Sequence, residues 1–357
     1  MDSRRLYIDF HILQTVPPSC VNRDDTGSPK TAIYGGTTRA RVSSQAWKRA
    51  MRMMFRDGLL EREQLGERTK KIVAMVAEEV AILAPGADAP ALAKKALESA
   101  GLKKVNAEKG TDALFFMSRA QAKALAQLAV DGCEEKKEYK SAIKSAPSVD
   151  MVMFGRMVAS DPSLNYDAAA QVAHSISTHA VQNEYDYFTA MDDLAPEDNA
   201  GASHLGIVEY NSATLYRYAT VNALELEKHL GRSAVPSVVR TFAEAMIRSM
   251  PTGKQNTFAN RTLPDAVYVA LRDDQPVNLC GAFEMAVPPT EDGFVGPSCR
   301  RLIQYAQNVY QCYADAPVRA FTIGMGLEAL ADAQPLNQML DALQDAVAAC
   351  LAGNGVA

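Results

Sequence analysis

Apolar and polar positions alternate at the start of the chain. Leu6, Ile8, Phe10 and Ile12 fall on one side and Tyr7, Asp9, His11 and Leu13 on the other, which predicts a strand. Pro17-Pro18 and the polar run Asn22-Arg23-Asp24-Asp25 with Gly27 predict a loop, and Gly35-Gly36 a second turn. The period then changes. Trp47, Met51, Met54 and Phe55 form an apolar stripe over about Gln45–Arg56, as an amphipathic helix requires. Ser43 or Ser44 can cap that helix and Gly58 ends it. Lys48, Arg52 and Arg56 recur at four-residue intervals as a basic stripe, with Arg49 beside it.

Residues 59–180 are rich in leucine, alanine, lysine and glutamate. Helical periodicity appears at about 68–83, 90–100, 119–131, 134–145 and 166–179, with Pro85-Gly86 and Pro147 as punctuation. Strand signals return near residue 181. Ile207–Tyr210 and Thr214–Val221 flank Asn211-Ser212, an expected hairpin. Between Met191 and Leu205 lies a loop without strong periodicity. A helix is expected at about Pro236–Met250, with proline in its first turn and Pro251 as its stop. A strand at Ala266–Leu271 and a helix at about Leu336–Leu351 complete the pattern. The order suits an α+β fold: a split β-α-β, ferredoxin-like layer with one strand cryptic and a helical subdomain inserted. RNA-recognition folds use the same layer, but the aromatic RNP signature is absent, so RNA stacking on an open sheet is not expected.

A chain of 357 residues, 48% hydrophobic, is ample for a large core with a sizeable insertion. No charged-then-apolar leader and no run near the roughly 18 apolar residues of a membrane helix is present, which predicts a soluble protein without membrane attachment. The six cysteines form no C-x-x-C pair, which suits reduced thiols and a cytoplasmic location. The five histidines show no ligand spacing; His174 and His179 lie off an i, i+4 face, so neither metal nor other cofactor is expected.

Net charge is −5, yet residues 1–57 hold ten cations and five acids. That local surplus of +5 leaves −10 for the remaining 300 residues, a basic patch on an acidic body. No acid occurs from Ala32 to Arg56. Arg23, Lys30, Arg39 and Arg41 on loops, then Ser43, Gln45, Lys48, Arg49 and Arg52 around a helix start, are the parts that hold phosphates: cations, small polar donors and free N–H groups. The alternative is a solvated basic face. Tyr185 to Met191, with Ser203-His204-Leu205-Gly206 beyond the loop, reads either as core or as a protruding hairpin whose apolar tips wedge between bases. Lys136, Lys137, Lys140 and Lys144 share a helix face, and Glu134, Glu135 and Glu138 can pair with them; a solvated helix and a nucleic-acid contact both fit. Asp192-Asp193 alone suggests a metal-dependent ribonuclease, without a visible third carboxylate. No Walker loop, G-x-S-x-G elbow or H-E-x-x-H appears, and no catalytic residue is assigned.

Pro18-Ser19-Cys20-Val21-Asn22-Arg23-Asp24-Asp25, Ala32-Ile33-Tyr34-Gly35-Gly36, and Arg41-Val42-Ser43-Ser44-Gln45-Ala46-Trp47-Lys48-Arg49-Ala50-Met51-Arg52 together closely resemble the CasC family. These are the backbone subunits of the type I-E CRISPR Cascade complex, in the RAMP superfamily. Gly155-Arg156-Met157, Ser177-Thr178-His179, Phe188 to Asp193, Ser203 to Gly206, Tyr216 to Ala219 and Lys254-Gln255 continue the match in order. The helical insertion and the last 70 or so residues match least.

The resemblance implies a hand: an RRM-like palm from residues 1–58 and 181–357, helical fingers from 59–180, and a protruding β-hairpin thumb whose loop is 189–206. It implies a non-enzymatic protein that oligomerises along the guide RNA (crRNA) as a helical filament. Its other partners would be target DNA and the remaining Cascade subunits. Arg23, Lys30, Arg41, Ser43, Gln45, Lys48, Arg49 and Arg52 would hold guide phosphates. Met157 would sit among the bases, and Phe188, Met191 and Leu205 would form the thumb wedge. Met191 departs in type from the smaller apolar residue expected there. Lys136, Lys137, Lys140 and Lys144 match a region implied to guide double-stranded DNA.

Overall fold

The computed structural model describes residues 5–158, 161–189 and 205–353. The chain opens with β1 (Tyr7–Ser19), then a hairpin of β2 (Thr31–Tyr34) and β3 (Thr37–Val42), then α1 (Ser44–Met54). The hairpin turns on Gly35 and Gly36, both at positive φ, which two-residue hairpin loops need. A Cβ on Gly35 would fall 1.6 Å from the Glu284 carbonyl oxygen, so only glycine fits there. A π-helical turn at Phe55–Leu59 ends α1, with Gly58 at φ 124°.

Next come β4 (Gly66–Thr69), α2 (Ile72–Leu83), α3 (Ala89–Ser99), the short pair β5 (Val105–Asn106) and β6 (Gly110–Thr111), and β7 (Phe115–Ser118). α4 (Arg119–Val130), α5 (Lys136–Ala142) and α6 (Val149–Phe154) follow. Ile72, Val76, Val80, Leu97, Leu125 and Tyr139 bury one another in a core of their own, spanning residues 72–164.

The chain then returns to the large sheet with β8 (Ala170–Val172) and β9 (Ser175–Ser177). Here the helix expected at 166–179 is replaced by two three-residue strands. Their partner is β11 (Leu205–Asn222), reached after β10 (Glu184–Thr189). Pairing with a long central strand overrides the helical preference of the alanines. β11 also runs unbroken through Asn211-Ser212, where a hairpin was expected. Asn211 pairs across to Ser19, and its side chain donates to Asn183 Oδ1 at 3.0 Å, so the polar pair needs no turn. The rest is α7 (Ala223–Leu230), α8 (Val235–Arg248), the single turn α9 (Gln255–Phe258), β12 (Ala266–Arg272), α10 (Val295–Cys312), β13 (Arg319–Gly324) and α11 (Leu336–Ala352).

The large sheet runs β13-β12-β1-β11-β9-β3-β2, with β8 also on β11, and all its pairings are antiparallel. Strand alternation sets its two faces. Ile8, Phe10 and Ile12 face Trp47, Phe242 and Leu343 of α1, α8 and α11. On the other face Leu13, Tyr216 and Tyr268 meet Phe283, Leu302 and Ala306, so the segment before α10 and α10 itself cover that side. Both faces are buried. The mixed α/β architecture expected from the sequence is present. No helix among the described residues is long and apolar enough to cross a membrane.

Candidate nucleic-acid interface

α1 begins where β3 ends. Its cap is Ser43, whose Oγ accepts the Ala46 N–H at 3.3 Å. The Ser43 N–H donates to Asn22 Oδ1 at 2.8 Å, which ties the 21–30 loop to the helix start. The Ser44 N–H donates to His174 Nδ1 at 3.1 Å. Burial lowers the His174 pKa, and Arg41, Lys30 and Lys48 push it further the same way. Three cations therefore converge on one imidazole at the positive end of α1. Arg41 spends one N–H on the Thr31 carbonyl, at 3.1 Å. No ion pair among the described residues engages Lys30, Arg41 or Lys48. Like charges held together without a counter-ion oppose folding, and a polyanion laid across them relieves that cost. Gln45, exposed on the first turn of α1, adds an uncharged donor.

Arg23 and Arg49 are exposed and line a cleft of about 890 Å³, together with Arg248, Arg261 and Met53. Arg248 is committed to Glu244 at 2.6 Å. Asp24, on the cleft's loop, is occupied by Thr26 and Ser28.

The rest of the basic stripe pairs with carboxylates of the insertion. Arg52 sits 3.1 Å from Asp150, whose side chain is 1% exposed, and its guanidinium lies 4.6 Å from the Phe116 ring centre. Arg56 pairs with Glu67 at 2.9 Å. Arg39 is buried and donates to Thr37 Oγ1 and to the carbonyls of Ser177, Phe283 and Glu284. Arg52 and Arg39 are thus engaged inside the protein, while Lys30, Arg41, Ser43, Gln45 and Lys48 gather at one helix end.

Met157 is 85% exposed, a large apolar side chain facing solvent. Every side chain of β10 is exposed, and β10 pairs with residues 205–210 of β11 as a two-stranded ribbon beyond the main sheet. Tyr185, Tyr187 and Ile207 lie bare on it. Phe188 stands opposite Gly206, and a Cβ on that glycine would fall 2.2 Å from the Phe188 ring. Met191, Asp192 and Asp193 lie outside the described residues, as does the side chain of Leu205.

Lys136, Lys137 and Lys144 are exposed without ion pairs among the described residues, and none joins them to Glu134, Glu135 or Glu138. Lys140 pairs with Asp161 at 3.6 Å. Lys136 and Lys137 occupy the first turn of α5, where the helix dipole disfavours cations. His179 is an interior residue, stacked on Phe294 at 3.6 Å. Sequence reading missed His174 and Asn22 as parts of the site. Asn22 sits in a quoted run beside Arg23, whereas nothing in the spacing of His174 marks it.

A family model described as CT1975-like protein matches residues 8–348. A solved chain described as "CRISPR RNA-guided surveillance complex, pre-nicking" superposes with a TM-score of 0.81 at 32% identity, covering 96% of this chain and 100% of its own. Another, described as "CRISPR RNA-guided surveillance complex", gives a TM-score of 0.62 at 28% identity, covering 94% and 99%. No curated protein matches the sequence.

Proposed function

This chain belongs to the CT1975-like protein family, and from that premise we propose that it is a guide-RNA-binding subunit of a CRISPR surveillance complex. In finer terms, we read it as a backbone subunit of the type I-E Cascade kind that repeats along the guide. The observation that carries this reading is the convergence of Lys30, Arg41 and Lys48 on the Ser43-capped start of α1, with no carboxylate ion-paired to them among the described residues.

The chemistry needs no reaction, and we assign none. Cations and N–H groups at a helix start recognise phosphate oxygens, which carry no sequence information. A guide that changes from one invader to the next demands that. Reading is then left to base pairing between guide and target. The strand order β12-β1-β11-β8/β9, with α1 and α8 as its crossovers, is that of the split β-α-β layer, so we take it as an RRM-like palm. Because helices cover both faces of that sheet, the guide belongs at its edge, on α1. The separate core of residues 72–164 suits fingers, and the β10–β11 ribbon suits a thumb that reaches a second copy. Exposed Lys136, Lys137 and Lys144 suit target DNA, and six cysteines without a C-x-x-C pair suit a cytoplasmic setting.

Purified protein is expected to carry RNA, seen as a raised 260/280 nm absorbance ratio that ribonuclease removes, and to form curved filaments on single-stranded RNA in electron micrographs. Protein that is free of RNA and stays monomeric with it would overturn the reading.

A further inference from the structure

Arg156 is a buried cation without an anion. It is 3% exposed, and no carboxylate faces it among the described residues. Burial lowers its pKa to about 10, so it stays charged at neutral pH. Its guanidinium is instead shared among neutral acceptors from four places in the insertion. Nε donates to the Leu164 carbonyl at 2.9 Å, Nη1 to the Phe116 carbonyl at 3.1 Å and Gln121 Oε1 at 3.3 Å, and Nη2 to the Ile143 carbonyl at 3.1 Å. The rings of Phe115 and Tyr166 take its faces at 4.9 and 4.8 Å.

The backbone around it is equally fixed. Arg156 and Tyr166 exchange both main-chain hydrogen bonds, at 3.1 and 2.9 Å. Gly155 holds φ 78° against Tyr166 and Ala168, and the Val158 N–H donates to Asn165 Oδ1 at 2.6 Å. Met157, the residue between these anchors, is 85% exposed. A leucine or methionine would fill the Arg156 site without the cost of burying charge. What an aliphatic chain cannot do is fix direction, as a planar fork with several acceptors does.

We propose that Arg156 is a positioning residue for Met157: its guanidinium locks the Gly155–Val158 turn against β7, α4 and the segment after α5, so that the Met157 side chain stands out as a fixed wedge. This rests on the reading of the protein as an RNA-binding subunit and adds the element that aims its apolar contact. A free-swinging methionine would lose rotamer entropy on entering a base stack, whereas a pre-aimed one loses less.

The test uses the full chain and single-stranded RNA carrying 2-aminopurine at successive positions, since that base brightens when unstacked. The unmodified protein is expected to brighten some positions periodically. Met157→Ala should abolish the rise there while RNA is still bound. Arg156→Lys keeps the charge but loses the fork, and should dim the same positions. Asn165→Ala, which frees the Val158 N–H from the surface side, should do likewise in a variant that keeps the buried network. The effects of Arg156→Lys and Met157→Ala should be non-additive, because one acts through the other. Additive effects, or Arg156→Lys and Asn165→Ala with lowered Tm but full brightening, would overturn the proposal and leave Arg156 a packing residue. Absence of RNA binding by the unmodified protein would instead overturn the functional reading itself.

Discussion

Arg52 and Asp150, 98 residues apart, meet at 3.1 Å and join α1 to the insertion. Asp150 also accepts the Gly66 N–H at 2.9 Å and the Ser148 hydroxyl at 2.8 Å. One carboxylate thus holds α1, the strand β4 and the start of α6 together. Removing one member of a buried pair strands the other, at a cost of about 3–5 kcal/mol. Asp150→Ala should therefore lower stability by about 3 kcal/mol, read by denaturant titration. Arg52→Ala should destabilise in the same direction, with the salt dependence of RNA binding unchanged, because Arg52 is spent inside the protein. A flattened salt slope in Arg52→Ala would return Arg52 to the phosphate set.

The sheet's second face buries two titratable groups two residues apart. His11 has its pKa lowered to about 3 by burial and, less, by Arg272; Nδ1 meets the Tyr216 hydroxyl at 2.8 Å. Asp9 has its pKa raised to about 6 by burial, although the Val277 N–H and Tyr218 hydroxyl bond to it. The unfolded histidine takes up a proton below about pH 6.5 and the folded one does not, so acid removes stability through His11. The folded Asp9 takes up a proton near pH 6 and the unfolded one only near 3.8, so acid adds stability through Asp9 over that range. Each pH unit is worth about 1.4 kcal/mol, and the two oppose each other. His11→Gln should make the fall in stability from pH 7 to pH 4.5 shallower by about 3 kcal/mol, and Asp9→Asn steeper by about 2 kcal/mol. Denaturant midpoints at the two pH values check this; equal slopes in all three proteins would contradict the buried pair.

The β10–β11 ribbon stands apart from the core, with Tyr187 63% and Phe188 44% exposed. Truncating exposed side chains usually changes stability by about 0.5 kcal/mol or less. Tyr187→Ala and Phe188→Ala should keep the melting temperature close to that of the unmodified protein, while filaments on RNA shorten or lose regular spacing in micrographs. If Phe188→Ala fails to fold, the aromatic cluster belongs to the core.

Much of this molecule is legible in local pattern. β1, α1, the insertion helices α2 to α5, α8, β12 and α11 all follow from the period of their own side chains, and the Gly35-Gly36 turn follows from backbone sterics. What pattern misses depends on distant partners. Residues 168–172 are mostly alanine and read as helix, but β8 is a strand because β11 lies beside it, and β9 because it lies between β11 and β3. Asn211-Ser212 reads as a turn until Asn183 is seen to satisfy it. α10 buries Pro297, Ser298, Cys299, Leu302 and Ala306, and the proline and serine among them break up the apolar period that would announce a helix. The site divides the same way. Residues 41–48 are contiguous and could be grouped from sequence, whereas His174 and Asp150 join α1 across 130 and 98 residues.

The direct test of the phosphate grip is the slope of log affinity against log salt for two single-stranded RNAs of unrelated sequence. Unmodified protein should bind both alike, and Lys30→Ala, Arg41→Ala and Lys48→Ala should each weaken both equally and flatten the slope by about 1. An unchanged slope in all three variants, or a loss confined to one RNA, would contradict the account.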